Sequence, residues 1–274
     1  MTLPQPKHRI LSLGAGVQSS TVLLMSCLGN LPKLDAAIFA DTGWEPKAVY
    51  RHLEWLTREA ARFAIPVHRI SVGNIREDAL RSQVRGKASN GSRWASMPYY
   101  VLGPNGEQGM IRRQCTKEYK LTPIRRWVRK WCGYELRQRI PNATLEQWIG
   151  ISADEAQRQR GSGVMWILNW HPLLEKHITR NGCFDWLAAH GYPEPPRSAC
   201  IGCPFHSAAE WRWLQQYEAE SFDEACEFDD AIRNCGGVRG QIFLHSARIP
   251  LREVDFRTRD EKSGQRLLCP TCFM

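Results

Sequence analysis

The first 75 residues alternate between apolar runs and helical patterns. Short apolar runs, which favour buried strands, lie at Ile10–Leu13 and Ala36–Ala40, and a third strand is predicted at Val67–Val72. Between them, helical spacing of the apolar residues covers Ser20–Leu28 and Pro46–Phe63. Strands and helices that alternate with short connections predict an α/β fold, in which a parallel sheet carries helices on both faces.

The alternation is interrupted after the third strand. Residues 73–115 contain clusters of Gly, Pro, Asn and Ser, which favour turns and loops and indicate a lid or an insertion. Helical spacing returns at Thr122–Lys130. A further strand is predicted at Glu146–Ile151, followed by a polar turn at Ser152–Arg160.

A Pro- and Cys-rich stretch at residues 193–207 predicts a boundary between two parts of the chain. Residues 1–192 form the predicted α/β domain, and residues 193–274 form a smaller Cys-containing, mainly helical region. Within that region, Ala208–Arg233 is predicted to be helical.

A turn of small and hydroxyl residues follows the first predicted strand and opens a helix. Such a strand–turn–helix unit offers backbone N–H groups and a positive helix end to an anion, usually phosphate. An acidic residue and a glycine end the second strand, where open α/β sheets bind ligands. The turn lacks both the Gly-Lys-Ser/Thr ending of the common ATPase loop and the later glycine of dinucleotide-binding loops. The candidate nucleotide-binding residues are Gly14, Gly16, Gln18, Ser19, Ser20, Thr21, Asp41, Thr42 and Gly43. An ordinary buried strand and helix with a serine N-cap is the alternative.

Charge and hydropathy indicate the partners to expect. The net charge is +9, and ten Lys and Arg residues lie between positions 112 and 139, interleaved with Trp127, Trp131 and Tyr134. Cations beside aromatic rings are typical of nucleic-acid binding, whereas a solvated helix with its tryptophans facing the core is the alternative. Because no apolar stretch approaches the roughly 20 residues of a membrane span and the N-terminus has no secretory pattern, a cytoplasmic protein without membrane contact is expected.

Ten cysteines in such a chain favour metal or redox chemistry over disulfides. Cys200-x-x-Cys203 and Cys269-x-x-Cys272 each place two thiols within reach of one metal ion, and Cys115 lies among cations that favour its thiolate. An iron–sulfur cluster on Cys115, Cys200 and Cys203, with Cys272 or Cys269 as fourth ligand, is predicted, since such ligands need not be close in sequence. A structural zinc site on the two Cys-x-x-Cys pairs is the alternative.

Four blocks of the chain resemble the phosphoadenosine phosphosulfate (PAPS) reductase family of the PP-loop ATP pyrophosphatase superfamily, whose fold is the adenine nucleotide alpha hydrolase-like (HUP-like) α/β fold. Ala15–Thr21 is similar to the family's Ser-Gly-Gly-Lys-Asp-Ser-Thr loop, and Phe39–Glu45 to its Asp-Thr-Gly-x-Glu block. Cys115–Pro123 is similar to its Cys-x(n)-Lys-x-x-Pro block, and Gly150–Arg158 to its Gly-Ile-Arg-x-x-Glu-Ser-x-x-Arg block. The resemblance implies binding of ATP with Mg, with Asp41, Lys117, Lys120 and Arg158 as candidate catalytic residues.

The chain also departs from the family pattern. Val17 stands where the loop has its second glycine, Gln18 replaces the lysine and Ser19 the aspartate, and the Glu-Cys-Gly-Leu-His motif with the reductases' nucleophilic cysteine is absent. These departures favour relatives that activate a nucleic-acid oxygen with ATP and support iron–sulfur-dependent sulfur transfer, as in tRNA thiolation or DNA phosphorothioation. Such an enzyme implies a cysteine desulfurase or another sulfur donor as a partner.

Two other functions stay open at this point. The first is a phosphoadenylyl- or adenylyl-sulfate reductase, in which a tail cysteine attacks the sulfate sulfur. The second is a zinc-stabilised, non-enzymatic nucleic-acid-binding module with a silent loop.

Overall fold

The computed structural model describes residues 6–84, 97–234 and 238–257. The chain forms two compact units, each assembled from two separate stretches. Unit 1 comprises residues 1–75 and 115–200, and unit 2 comprises residues 76–114 and 201–274.

The regular elements of the described residues are numbered here in chain order. They are β1 (His8–Leu13), α1 (Val17–Cys27), β2 (Ala36–Asp41), α2 (Lys47–Ala61), β3 (Val67–Ser71), α3 (Ile75–Val84), β4 (Tyr100–Leu102), β5 (Gln108–Met110), a π-helical segment (Thr116–Leu121), α4 (Thr122–Trp131), β6 (Leu145–Ile149), a 3₁₀ segment (Ala153–Arg158), β7 (Ile167–Trp170), α5 (Pro172–Glu175), α6 (Arg180–Ala189), α7 (Ala208–Tyr217), α8 (Ala219–Ile232), β8 (Gln241–Phe243) and a 3₁₀ segment (Leu251–Glu253).

Unit 1 is built on a five-stranded sheet of order β3-β2-β1-β6-β7, and every neighbouring pair in it is parallel. The central strand β1 pairs with β2 on one side and with β6 on the other. All strands therefore end at the same edge of the sheet, where open α/β sheets bind ligands. The predicted parallel α/β architecture is confirmed.

Each strand sends alternate side chains to opposite faces of this sheet, and each face is covered by helix. Leu11 and Phe39 belong to a core that also contains the buried sides of α1, α2 and α6. Ile10 and Ile38, one residue earlier on the same strands, pack on the opposite face with Ile124 and Val128 of α4. Both faces are apolar because a crossover helix shields each of them from water.

Unit 2 combines a short antiparallel sheet of order β5-β4-β8 with α7 and α8. Its chain is tied together by the buried carboxylate of Asp229 on α8, which pairs with Arg233 and accepts hydrogen bonds from the backbone N–H groups of Leu244 and Leu251 at 2.7 and 3.0 Å. A buried charge of this kind is stable only because each oxygen has donors.

Several elements of the structure differ from those predicted from the sequence. The helix predicted at Ala208–Arg233 is two helices, because Glu218 between them leaves helical geometry at φ −135° and ψ 58°. Most of residues 73–115, predicted as a lid or insertion, belongs to unit 2, which includes residues 76–114, while residues 193–200 belong to unit 1. Short elements without a clear apolar period were not predicted, namely α3, β4, β5, β7, α5, α6 and β8.

Candidate functional site

The predicted nucleotide loop connects β1 to α1 at the carboxyl edge of the unit 1 sheet. Ala15 is fully buried and adopts a left-handed conformation with φ +56°. The Gly14 N–H donates to Ser19 Oγ at 3.1 Å, and that hydroxyl donates to the Gly16 carbonyl at 3.2 Å. The first N–H groups of α1, from Val17 to Ser19, have no acceptor within the helix. This turn is therefore shaped as an anion site at a helix N-terminus.

The hydroxyls of Ser20 and Thr21 point into the protein, away from the turn. Ser20 Oγ lies 3.0 Å from Nε2 of the buried His52, and Thr21 Oγ1 donates to the Val17 carbonyl at 2.8 Å. Burial lowers the pKa of His52 to about 4, so its imidazole is neutral at physiological pH. Both predicted ligand-binding side chains thus make internal hydrogen bonds: Ser20 links α1 to α2, and Thr21 bonds back within α1.

The Ser152–Arg158 segment after β6 lies directly against the N-terminal turn of α1. A Cβ atom on Gly150 would lie 2.9 Å from the Ser19 backbone nitrogen, so only glycine fits there. Nε2 of Gln18 donates to Ser152 Oγ at 2.9 Å and to Glu155 Oε2 at 2.6 Å. The first and last of the four sequence blocks are therefore joined in space.

Asp41, at the end of β2, is saturated with donors. Its Oδ1 accepts from the Gly43 N–H at 2.8 Å and from the Tyr50 hydroxyl at 2.9 Å. Its Oδ2 accepts from Nε and Nη2 of Arg69 at 2.9 and 2.6 Å. Arg69 and Tyr50 also line a cavity of about 380 Å³. Both oxygens of Asp41, a predicted nucleotide-binding and catalytic residue, are thus held by donors of the protein itself.

Gly43 turns the chain after β2 at φ +74°, where a Cβ atom would lie 2.9 Å from the Asn74 Cα atom. Past this turn, Glu45 is buried beside Thr42, whose hydroxyl donates to Glu45 Oε1 at 3.3 Å and lies 3.2 Å from Cys200 Sγ. Lys120 Nζ lies 3.5 Å from the same carboxylate oxygen, and Glu45 raises the pKa of Lys120 above its ordinary value. The Lys120 charge is therefore balanced by a buried carboxylate.

Lys120 is carried by the π-helical segment, a rare geometry that is frequent at functional sites. Cys115 precedes this segment and, like Cys200, is close enough to favour the charged form of Lys120. Lys117 is exposed on the same segment. Two predicted catalytic residues thus occupy different environments, one exposed and one paired.

A strap, residues 196–200, covers the nucleotide loop. The nearest neighbours of a Cβ atom on Gly16 would be Ser198 Cβ at 3.5 Å and, at 4.0 Å, the Pro196 carbonyl oxygen. A Cβ atom on Gly14 would lie 4.0 Å from Ser198 Oγ. Ser198 thus adds a hydroxyl to the loop, and no motif in the sequence indicated this role. Glu45 and Glu155 were part of quoted sequence blocks, but their partners became visible only in the fold.

The predicted metal ligands are distributed over both units. Cys115 and Cys200 belong to unit 1 and Cys203 to unit 2, while Cys269 and Cys272 lie outside the described residues. Within the described ranges, no group of three or more His, Cys, Asp or Glu side chains is arranged to hold a metal ion. These residues by themselves do not fit a four-ligand cluster.

Helix α4 carries the centre of the basic stretch. Trp127 and Trp131 pack against the sheet core and stack on each other with ring centroids 6.1 Å apart. Arg125 and Arg129 donate to loop carbonyls of Ser162, Glu135 and Gln138. Between residues 121 and 139, the basic side chains that remain exposed are Arg126, Lys130, Arg137 and Arg139. The tryptophans thus serve the core, and the exposed cations form a separate basic surface.

No family model and no curated protein matches this chain. Among solved structures, the chain is similar to the crystal structure of a phosphoadenylyl-sulfate (PAPS) reductase from Candida auris in a phosphate complex, with 15% identity and a TM-score of 0.42. The match covers 71% of this chain and 76% of that chain. None of the helices in the described part of this chain is both long and apolar enough to span a membrane.

Proposed function

We propose that this protein is an enzyme that binds ATP at the Gly14–Ser19 turn and adenylates a substrate oxygen in support of sulfur transfer to tRNA or DNA. The observation that carries the proposal is the pair of hydrogen bonds from Gln18 of that turn to Ser152 and Glu155 of the Ser152–Arg158 segment. It brings helix N–H groups and an arginine to the carboxyl edge of a parallel sheet, where nucleotides bind in this fold class.

The proposed step is a displacement at phosphorus. The substrate oxygen forms a bond to the α-phosphorus of ATP, the bond between the α- and β-phosphates breaks, and pyrophosphate leaves with the electron pair. The N-terminus of α1 and Arg158 stabilise negative charge on the phosphates, since catalysis of this kind depends on positioning and electrostatics. Lys117 is a further candidate cation, whereas Lys120 keeps Glu45 in place.

The nucleic-acid substrate is proposed from the exposed cations of the basic surface. Arg126 and Lys130 lie on the outer side of α4, and Arg137 and Arg139 follow in the next loop. Lysine and arginine side chains bind phosphate backbones without reading sequence. The surface therefore supports a polymer substrate but does not distinguish tRNA from DNA.

A [4Fe–4S] cluster on Cys115, Cys200 and Cys203, with Cys272 or Cys269 as fourth ligand, remains a prediction, and a zinc ion on the two Cys-x-x-Cys pairs remains its alternative. A cluster with an open iron would supply a site that holds sulfide. No step is assigned to it here, because the described residues lack a set of three ligands. A sulfur donor such as a cysteine desulfurase belongs to the same prediction.

Calorimetry with ATP, adenosine and pyrophosphate tests the nucleotide site. Ser198→Asp puts a negative charge beside the loop and is expected to weaken ATP binding at least about fivefold, since like charges at short range repel by more than about 1 kcal/mol. Ser198→Asn, of similar size but neutral, is the matched control and is expected to retain ATP. Absence of ATP binding to the wild type contradicts the proposal.

A turnover assay separates the proposal from its main alternative. The wild type is incubated with ATP and undermodified tRNA or DNA, and in parallel with adenylyl sulfate and a dithiol. Release of pyrophosphate that depends on the nucleic acid supports the proposal. Release of sulfite from adenylyl sulfate identifies a sulfonucleotide reductase instead.

A further inference from the structure

Gln18 occupies the first turn of α1, but its amide is turned toward Ser152 and Glu155. Both N–H bonds of its Nε2 are used, one toward Ser152 Oγ at 2.9 Å and one toward Glu155 Oε2 at 2.6 Å. A primary amide has only two N–H donors. The Gln18 side chain therefore has no N–H left for a phosphate, although the sequence predicts Gln18 to be a nucleotide-binding residue.

Glu155 uses its other oxygen to hold an arginine. Its Oε1 accepts from Arg158 Nη1 at 2.7 Å, and the Arg158 side chain is 61% exposed. Glu155 itself lies at a kink between two turns of the 3₁₀ segment, with φ −114° and ψ 22°. The carboxylate thus bridges a half-buried amide on one side and a solvent-facing guanidinium on the other.

An exposed Arg–Glu pair alone orders its side chains weakly, because entropy and screening offset the attraction. The amide of Gln18 changes this, since a hydrogen bond from a part-buried donor fixes the plane of the carboxylate. A fixed carboxylate in turn fixes the guanidinium, which keeps further N–H donors for an anion.

We propose that Gln18 is a positioning residue that acts through Glu155 to hold Arg158 toward the phosphates of the nucleotide. This inference rests on the proposed function, because it assumes an anionic ligand at the α1 turn. Because Gln18 is neutral, it does not neutralise Glu155, and the negative charge of Glu155 stays available to pair with Arg158. The positive charge of the site is thus carried by Arg158 and not by the loop.

The test is a double-mutant cycle of Gln18→Ala and Arg158→Ala, with the affinities for ATP and adenosine measured by calorimetry. Gln18→Ala is expected to weaken ATP binding about tenfold, as loss of a hydrogen bond to a charged group does. In the Arg158→Ala background the same change is expected to alter ATP affinity less than about twofold, since coupled residues are not additive. Adenosine affinity is expected to stay unchanged in all variants, because adenosine has no phosphate.

Gln215→Ala on the exposed side of α7 controls for the loss of a glutamine side chain, and thermal unfolding shows that each variant is folded. Equal losses of ATP affinity in the two backgrounds, or equal losses for ATP and adenosine, overturn the positioning role and indicate a general structural one. An unchanged ATP affinity in Gln18→Ala also overturns it. A wild type that binds no ATP refutes the proposed function itself.

Discussion

The buried hydrogen bond between Ser20 and His52 predicts a specific dependence of stability on pH. His52 is 7% exposed, stacks on Trp55 and lies 3.0 Å from the Ser20 hydroxyl. Its pKa falls from 6.5 to about 4 because burial disfavours the imidazolium ion. In the unfolded chain the same imidazole takes up a proton near its ordinary pKa.

The unfolded state therefore binds more protons than the folded state between about pH 4 and pH 6.5, so stability falls as the pH falls through this window. With a His52 pKa of about 4 in the folded state and 6.5 in the unfolded state, proton linkage lowers the free energy of unfolding by about 2 kcal/mol between about pH 7.5 and pH 5. His52→Gln removes the titrating group while its amide can still reach Ser20. It is expected to remove that part of the pH dependence, whatever its effect on stability at neutral pH.

Urea unfolding, followed by tryptophan fluorescence at several pH values in this range, measures the effect. The control is the difference between wild type and His52→Gln, since burial also lowers the pKa values of His68 and His171, which titrate in both proteins. If both proteins lose the same stability on acidification, His52 is not a buried neutral imidazole and the proposed link between α1 and α2 is wrong.

Three further predictions concern the site and its partners. Gly150→Ala should destabilise the fold by about 1–3 kcal/mol and weaken ATP binding, because the new Cβ atom would lie 2.9 Å from the Ser19 nitrogen. Unfolding and calorimetry measure these two effects. Gly161→Ala is the control, since a Cβ atom there has no neighbour within 4 Å and should change neither stability nor ATP affinity. Charge reversal of Arg126 and Lys130 should reduce the salt dependence of tRNA or DNA binding, lowering the slope of log K against log salt by about two; an unchanged slope would exclude α4 from the interface. Anaerobically purified protein should contain iron and acid-labile sulfide that Cys203→Ala loses and Cys27→Ala keeps, and zinc in place of iron would exclude the cluster.

The sequence predicts the sheet well where the pattern of apolar residues is continuous. β2 is apolar along almost its whole length and β1 is mostly apolar from Ile10 to Leu13, since helices cover both faces of the parallel sheet, and this made them recognisable. β7 was missed because it has only four residues, Ile167–Trp170, and Asn169 interrupts its apolar run. Its assignment as a strand depends on pairing with β6, a contact that local pattern does not contain.

The site was predicted in part for a similar reason. The Gly14–Thr21 turn and Asp41 could be proposed as site residues because strand ends and small residues mark them in the sequence. The inward direction of the Ser20 and Thr21 side chains was not predicted. It depends on the helix beginning at Val17, which decides which face of α1 lies against His52. The partners of Asp41 and Glu45, namely Arg69 and Lys120, come from distant elements and carry no local signal.

The central position of β1 has a consequence for synthesis on the ribosome. β1 pairs with β2 soon after both are made, but β6 on its other side, which supplies the Gln147 partner of Ser12, is 135 residues away. Until β6 leaves the exit tunnel, the sheet of the nascent chain contains only β1, β2 and β3, and one edge of β1 stays unpaired. An unpaired strand edge is a template for pairing with other chains. We therefore expect newly made protein to depend on chaperones until β6 is inserted, and fragments that end before Leu145 to aggregate.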